Sequence, residues 1–305
     1  MTVAGIDQKT AKLGVIGGSG VYGIKGARVV AVHSITTPFG DPSDKIFELE
    51  IEDRNNVSTS DHSPANFLFL PRHGIGHRLL PSEINYRANI LAMKQLGATH
   101  LLAASAVGIL ADGIHPGDMV IPDQIFDRTK GTRASTFFGD GVVGHVSFGV
   151  PFCPVFSSLV SSSASPHGKV KNGGTYVCME GPQFSTRAES MFYREQLKAS
   201  VIGMTALPEA KLAREAGLHY AMIALATDYD CWNPDEGEVS ADAVVAVIRS
   251  NVEKANRVIL GVAGKAAELG GTAKCSCVKA SQHAIMTDAG YISAGMKDRL
   301  HHIVL

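Results

Sequence analysis

Four short apolar runs constrain this chain most. "LGVIGG" begins at Leu13, "FLFLP" ends at Pro71, "THLLAASAVG" spans 99–108 and "HYAMIALATDYD" spans 219–230. Each is about the length of a strand and lacks a regular polar alternation, so a strand built from it must be covered on both faces. Segments of helical period lie between them. "PSEINYRANILAMKQLG" (81–97) puts Ile84, Ala88 and Leu91 on one face, with Ser82 as the expected N-cap and Gly97 just past the end. "PEAKLAREAG" places Pro208 in a first turn and Gly217 beyond the last, and 240–270 reads as a long amphipathic helix. "FSSLVSSSASPHG" starts helical and ends as a loop, and "SVIGMT" reads as a strand. The alternation predicts an α/β chain: one domain over 1–305, built on a mixed, mainly parallel sheet flanked by helices. The polar, aperiodic stretch 53–66 reads as an exposed hairpin loop, not a domain boundary.

Charge and composition remove whole classes of function. The formal net charge is -1 and no long basic run occurs, so a nucleic-acid partner is not expected. Neither a signal-like apolar core in "MTVAGIDQKT" nor a run of about 18 apolar residues is present, which reads as a soluble intracellular protein with no membrane partner. Of the five cysteines, Cys153, Cys178 and Cys231 read as buried small residues. Cys275 and Cys277 form C-S-C with no metal-ligating partner nearby in the chain, so reduced thiols and no metal are expected.

"LGVIGGSGVYGI" (13–24) matches the dinucleotide fingerprint through Gly18, Gly20 and Gly23. That motif needs a helix directly after the glycines. Here "ARVVAVHSI" follows, whose β-branched residues read as another strand, and Asp41 sits in a proline-glycine turn instead of at a strand end. A dinucleotide site is therefore excluded. What remains is a glycine turn whose backbone N–H groups and Ser19 hydroxyl can cradle a small anion.

Other polar residues recur at strand ends, where ligands bind in open α/β sheets. Arg72 and His73 follow "FLFLP", Ser105 and Ala106 follow "HLLAA", and Thr205 follows "SVIGM". Arg72 can grip an oxyanion bidentately, His73 can donate from a ring nitrogen, and Ser19, Ser105 and Thr205 carry hydroxyls. "TDYDCW" differs: in an extended segment Asp228 and Asp230 point the same way and demand donors. No His or Cys of metal spacing lies close by. A 6-aminopurine edge offers donors, whereas a 6-oxopurine presents an acceptor.

"VIGGSG", "PRHGIGH" with "PSEINYRANI", "EGPQFSTRAES", "VIGMTALPEAKLAREAG" and "TDYDCW" together resemble the trimeric purine nucleoside phosphorylases, and among them the methylthioadenosine phosphorylase branch. The likeness runs from about Leu13 to Leu260; 271–305 matches poorly, and 53–66 looks like an insertion. The resemblance implies inorganic phosphate as co-substrate, no cofactor and no metal, with phosphate held by Ser19, Arg72, His73, Ser105, Ala106 and Thr205. It implies a nucleoside held by Phe184, Met204, Asp228, Tyr229 and Asp230. Asp228 would be the general acid at N7, and Asp230 would fix the 6-amino group. It also implies an apolar 5′ slot from Ala241, Val244 and Val245, with Ser185 and Ala241 at specificity positions. His145 would reach a neighbouring subunit's site in a homotrimer, and the setting would be the cytoplasm, with the nucleus also open. Three alternatives stay open at this point: a 6-oxopurine or general purine nucleoside phosphorylase, a nucleosidase using water, and a non-catalytic nucleoside-binding protein. Asp228 weighs against the first of these, because those relatives carry Asn there.

Overall fold

A computed structural model describes residues 11–21, 23–52, 66–234, 241–265 and 275–304, with the side chains of 241–246, 248 and 304 excepted. The stretch 53–65, expected as an exposed loop, lies outside the described residues. Chain order is β1 (Leu13–Gly17), β2 (Ala27–His33), β3 (Ile46–Ile51), β4 (Asn66–Pro71), α1 (Tyr86–Gln95), β5 (His100–Ile109), β6 (Met119–Ile121), β7 (Gln124–Arg128) and α2 (Pro154–Ala164). It continues with β8 (Val170–Asn172), β9 (Thr175–Met179), α3 (Arg187–Glu195), β10 (Val201–Gly203), α4 (Ala206–Glu215), β11 (His219–Asp228), α5 (Ala241–Gly264) and α6 (Ala294–Val304).

The strands form one mixed sheet centred on β5. β5 runs parallel to β1 on one edge and to β11 on the other. β4 lies parallel beyond β1, and β3 and β2 extend that side antiparallel. The far half of β5 pairs antiparallel with β10, which itself runs parallel to β9. Six of the ten described pairings are parallel, so the sheet is mixed and mainly parallel.

The apolar runs are continuous because both sheet faces are covered. Along β5, Leu101 and Ala103 face one core, while Leu102 and Ala104 face the other. β11 alternates likewise, with Met222 and Ala224 on one side and Ile223 and Leu225 on the other. Ile90 and Leu91 of α1, Leu212 of α4 and Leu300 of α6 cover the first face. Phe156 and Val160 of α2, with Val258 and Ile259 of α5, cover the second. A sheet buried on two faces is the reason these strands need no polar alternation.

Local chemistry moved one expected boundary, the start of α1, and kept the other. Helix α1 starts at Tyr86, and Asn85 caps it by accepting from the Ala88 N–H, so Ser82 is not the cap. Residues 81–83 instead form a turn, with the Leu80 N–H donating to Glu83 Oε2. In α4 the backbone at Leu207 is non-helical, so the regular helix begins at Pro208. Gly97 and Gly217 both take the positive φ that closes a helix (89° and 67°).

The cysteines expected as reduced thiols stand free in the fold, all five of them. Partners for Cys275 and Cys277 do exist, brought from far away in the chain: Cys153 before α2 and His219 at the start of β11.

Candidate active site

The strand register assembles the first half of the site. Gly17 at the end of β1 pairs with Pro71 of β4 and with Ala104 of β5. The next residue of each strand, Gly18, Arg72 and Ser105, therefore emerges at one level. Gly18 donates to the Ala104 carbonyl (3.0 Å), and Arg72 donates its N–H to Gly17 (2.8 Å). Glycine is required at position 18 because a Cβ there would stand 2.6 Å from the Ala104 oxygen and 2.8 Å from Arg72 Nη1. Gly20 takes φ +84°, which turns the chain after Ser19. β10 runs back along the far half of β5, with Ile202 opposite Gly108, so Met204 and Thr205 return towards Ser105. The Ser105 and Thr205 hydroxyls lie 3.3 Å apart.

Ser19, His73, Ser105, Ala106 and Thr205 line the rim of a cavity of about 270 Å³. Asp228 and Asp230 line the same cavity. They stand at Gly108: Asp228 pairs with it across β5 and β11, and a Cβ there would lie 3.2 Å from Asp228 Oδ1. Ser105 and Gly108 are three residues apart on one strand, so the hydroxyl end and the acid end are about 10 Å apart. Met179, Pro182, Ile202 and Met204 make apolar walls between them, and half-exposed Phe184 stands at the mouth. The cavity is thus a slot with anion-binding groups at one end and carboxylates at the other.

The acid end has specific electrostatics. Burial raises Asp228 above the usual carboxylate range; the Thr227 hydroxyl and the Asp230 N–H pull part of this back, and the Asp230 charge raises it further. Thr227 Oγ1 lies 2.6 Å from Asp228 Oδ2 and 3.0 Å from the Val107 carbonyl oxygen. One hydroxyl proton cannot serve both acceptors. Thr227 therefore donates to Asp228 or to Val107, and a proton gained at Asp228 Oδ2 would let both contacts be made at once. Asp230 is also raised, by burial first, against the pull of the Ser190 and Ser185 hydroxyls. Among the described residues its Oδ2 is buried with no donor at hydrogen-bond distance. Such an oxygen costs free energy until a donor arrives. The pair does not lie in an extended segment as expected. Asp230 has φ +51°, and its N–H donates to Asp228 Oδ1 (2.9 Å) in a tight turn. That turn, and not strand pleating, aims both carboxylates into one cavity.

Three expected site residues make contacts that sequence position did not show. Arg72 is fully buried, and its fork is already taken: Nε donates to Glu209 Oε2 (2.7 Å) and Nη2 to Glu209 Oε1 (3.0 Å), while Nη1 reaches the Ala104 carbonyl (3.0 Å). It is a buried brace beneath the glycine turn, not an open bidentate grip. His73 is no ready donor. Its Nδ1 faces the Leu79 carbonyl at 2.8 Å and must carry the proton there, and burial, with Arg72 and His77 nearby, pushes its pKa down to about 4. The neutral ring offers the cavity an accepting Nε2, which suits a hydroxyl of a monoprotonated oxyanion. Tyr229 does not line the cavity; its hydroxyl meets His115 Nδ1 at 2.8 Å.

Ser185 also stands behind the wall, with its hydroxyl directed at Met179 Sδ and towards Asp230. His145 lines a separate surface hollow with Phe138 and Val142. The side chains of Ala241, Val244 and Val245 lie outside the described residues, although α5 itself begins at Ala241.

Two buried hubs escaped sequence reading. Glu209, on α4, binds Arg72 and also accepts from the Tyr220 hydroxyl (2.9 Å). Arg133 pairs with Glu180 (2.7 Å) and donates to the carbonyls of Met204 (2.6 Å) and Leu207 (2.8 Å), which fixes the wall that carries Met204 and Thr205. Neither lies in an apolar run, Arg133 standing in "KGTRAST" and Glu209 in "PEAKLARE", so no local signal in the sequence flagged them.

The phosphorylase superfamily model matches residues 12–263, a span that contains every cavity residue named above. The chain belongs to the phosphorylase superfamily. Within that superfamily it is 48% identical over 293 residues to an S-methyl-5′-thioadenosine phosphorylase of Geobacter sulfurreducens, covering 96% of this chain and 97% of that protein. A protein of the same name from Koribacter versatilis is 47% identical, with 96% of each chain covered. A methylthioadenosine phosphorylase from an antarctic soil metagenomic library superposes with TM-score 0.85 at 43% identity, over 97% of this chain and all of that one. The Schistosoma mansoni methylthioadenosine phosphorylase in complex with adenine gives TM-score 0.75 at 34% identity, over 96% and 97% of the two chains.

Proposed function

We propose that this phosphorylase cleaves the N-glycosidic bond of 5′-methylthioadenosine with inorganic phosphate, giving adenine and 5-methylthioribose 1-phosphate. The observation that carries the reading is the acid end of the slot. A buried carboxylate oxygen with no donor among the described residues stands beside a carboxyl poised to hold a proton, about one nucleoside length from an oxyanion rim. Adenine supplies what this end lacks. Its 6-amino group donates to Asp230 Oδ2, and N7 takes the proton of Asp228 as the bond to N9 breaks. A 6-oxopurine would bring an acceptor against Asp230. Curated relatives of nearly full coverage carry the name of this activity, which supports the same substrate.

At the other end Ser19, Ser105, the Ala106 N–H and Thr205 hold phosphate, and His73 Nε2 accepts its remaining proton. Phosphate attacks C1′ while the sugar passes through an oxocarbenium-like state, stabilised by the dianion beside it. Arg72, paired with Glu209, holds the glycine turn in place from beneath. Phe184 and Met204 pack the base and ribose. The family resemblance assigns the methylthio group to Ala241, Val244 and Val245, whose side chains lie outside the described residues. We place the enzyme in the cytoplasm as a homotrimer, with His145 completing a neighbouring subunit's site; sedimentation of the purified chain at about three chain masses tests the assembly. Incubating the protein with methylthioadenosine, with and without phosphate, tests the function. Release of free adenine only with phosphate supports it; equal release in its absence makes water the nucleophile.

A further inference from the structure

We infer that Cys153, His219, Cys275 and Cys277 form a structural zinc site, separate from the catalytic slot. Their ligand atoms all lie within 4.8 Å of one another, and three of the four residues are buried. The spacing fits a tetrahedral ion. Zinc–sulfur bonds of about 2.3 Å and zinc–nitrogen bonds of about 2.0–2.1 Å put sulfurs about 3.8 Å apart, and a sulfur about 3.6 Å from a nitrogen. Cys153 and Cys275 Sγ are 3.7 Å apart, and His219 Nδ1 lies 3.4 Å from the first and 3.2 Å from the second. A disulfide would need about 2.05 Å.

The surroundings favour thiolates. Three thiolates around a divalent ion leave one negative charge. Buried Arg214 places Nη1 3.6 Å from Cys277 Sγ and has no carboxylate partner among the described residues. Cys153 stands at the N-cap of α2, where the helix end favours an anion. The Cys277 N–H points at Cys275 Sγ (3.5 Å). His219 stacks on His100 (4.2 Å between centroids), and its buried Nε2 meets no partner among the described residues, so its polar contacts there are through Nδ1 to the sulfurs. A tetrahedral set of soft sulfurs and one imidazole selects zinc over hard cations. Binding displaces three thiol protons and changes no oxidation state.

His219 opens β11 and Asp228 closes it, so the site lies about 30 Å from the acid pair. It cannot touch substrate. It instead ties the chain after α5 to the start of a central strand and to the segment before α2, and its role is to hold residues 275–304 on the core.

The test is metal binding to the whole, reduced chain after chelator treatment. Titration with Co²⁺ alone is expected to saturate at one equivalent, with the visible bands and near-ultraviolet charge transfer of tetrahedral thiolate cobalt; Zn²⁺ is expected to displace it. Zinc loading is expected to raise the Tm by several degrees without changing kcat. Cys275→Ser is expected to lose the cobalt bands and that rise, and to retain kcat. The wild-type titration decides the question even if the variant fails to fold. Failure of stoichiometric Co²⁺ and Zn²⁺ to bind, octahedral cobalt spectra, or unchanged binding by Cys275→Ser would overturn the site.

Discussion

Asp228 and Ser19 carry opposite ends of the reaction, and their variants separate them. A general acid typically contributes about 10²–10⁴-fold. Asp228→Asn cannot deliver a proton to N7, so kcat on methylthioadenosine should fall within that range while KM for phosphate changes little. Steady-state kinetics with both substrates varied checks this, and unchanged turnover removes Asp228 from the role. Ser19→Ala deletes one hydroxyl on the oxyanion rim. A hydrogen bond to a charged group is worth roughly 1.5–3 kcal/mol, so KM for phosphate should rise about tenfold or more, with KM for nucleoside nearly constant. Equal shifts in both would make the glycine turn a scaffold only. These residues were legible because each follows a strand or sits in a charged pair within an apolar context. Their protonation was not legible: the Thr227 hydroxyl and the Leu79 carbonyl that fixes the His73 tautomer depend on contacts that a strand-end rule cannot supply.

Elements hold the rim in place through charges buried between them. Arg72 at the end of β4 and Glu209 on α4 are 137 residues apart and almost wholly buried. Removing one partner of a buried pair leaves an uncompensated charge and typically costs about 3–5 kcal/mol. Glu209→Ala should lower stability by about that amount in denaturant unfolding, although Glu209 does not line the cavity. A change below about 1 kcal/mol would mean that the pair is not the brace described. The same separation explains why Arg72 was expected to hold ligand: sequence shows a guanidinium at a strand end but not the carboxylate that a later helix brings to it. The existence of α1, α2, α4 and α5 was legible from periodicity, while α3, α6 and the start of α1 were not. Ser82 and Asn85 are both good caps, and tertiary context chose Asn85, whose amide also donates to the Phe39 carbonyl (2.8 Å).

At the scale of the whole molecule, the sheet was legible because continuous apolar strands demand two covered faces. The antiparallel return of β10 along β5 was not, since a three-residue strand has no direction in its pattern. That return creates the slot, by laying Met204 and Thr205 beside Ser105. The cysteine–histidine cluster was hidden for a related reason: its members come from three separated segments. Burial of neutral His73 also gives the fold an acid limit. The unfolded ring takes up a proton below its ordinary pKa of 6.5, while the folded ring does so only near about 4. Its contribution is therefore fully present above pH 6.5 and lost as pH falls towards 4, up to about 3 kcal/mol. Unfolding of wild type and His73→Gln between pH 7.5 and 4.5 should show a shallower acid loss in the variant; parallel curves would mean that the ring is not buried neutral.

One competition assay weighs the acid pair and the oxyanion rim together. Equimolar methylthioadenosine and inosine are supplied with phosphate, and the products are followed by chromatography and phosphorus NMR. Adenine and a pentose 1-phosphate should form in equal amounts while inosine persists. Preferential release of hypoxanthine, or adenine formed without a sugar phosphate, would contradict the assignment of this slot to phosphorolysis of a 6-aminopurine nucleoside.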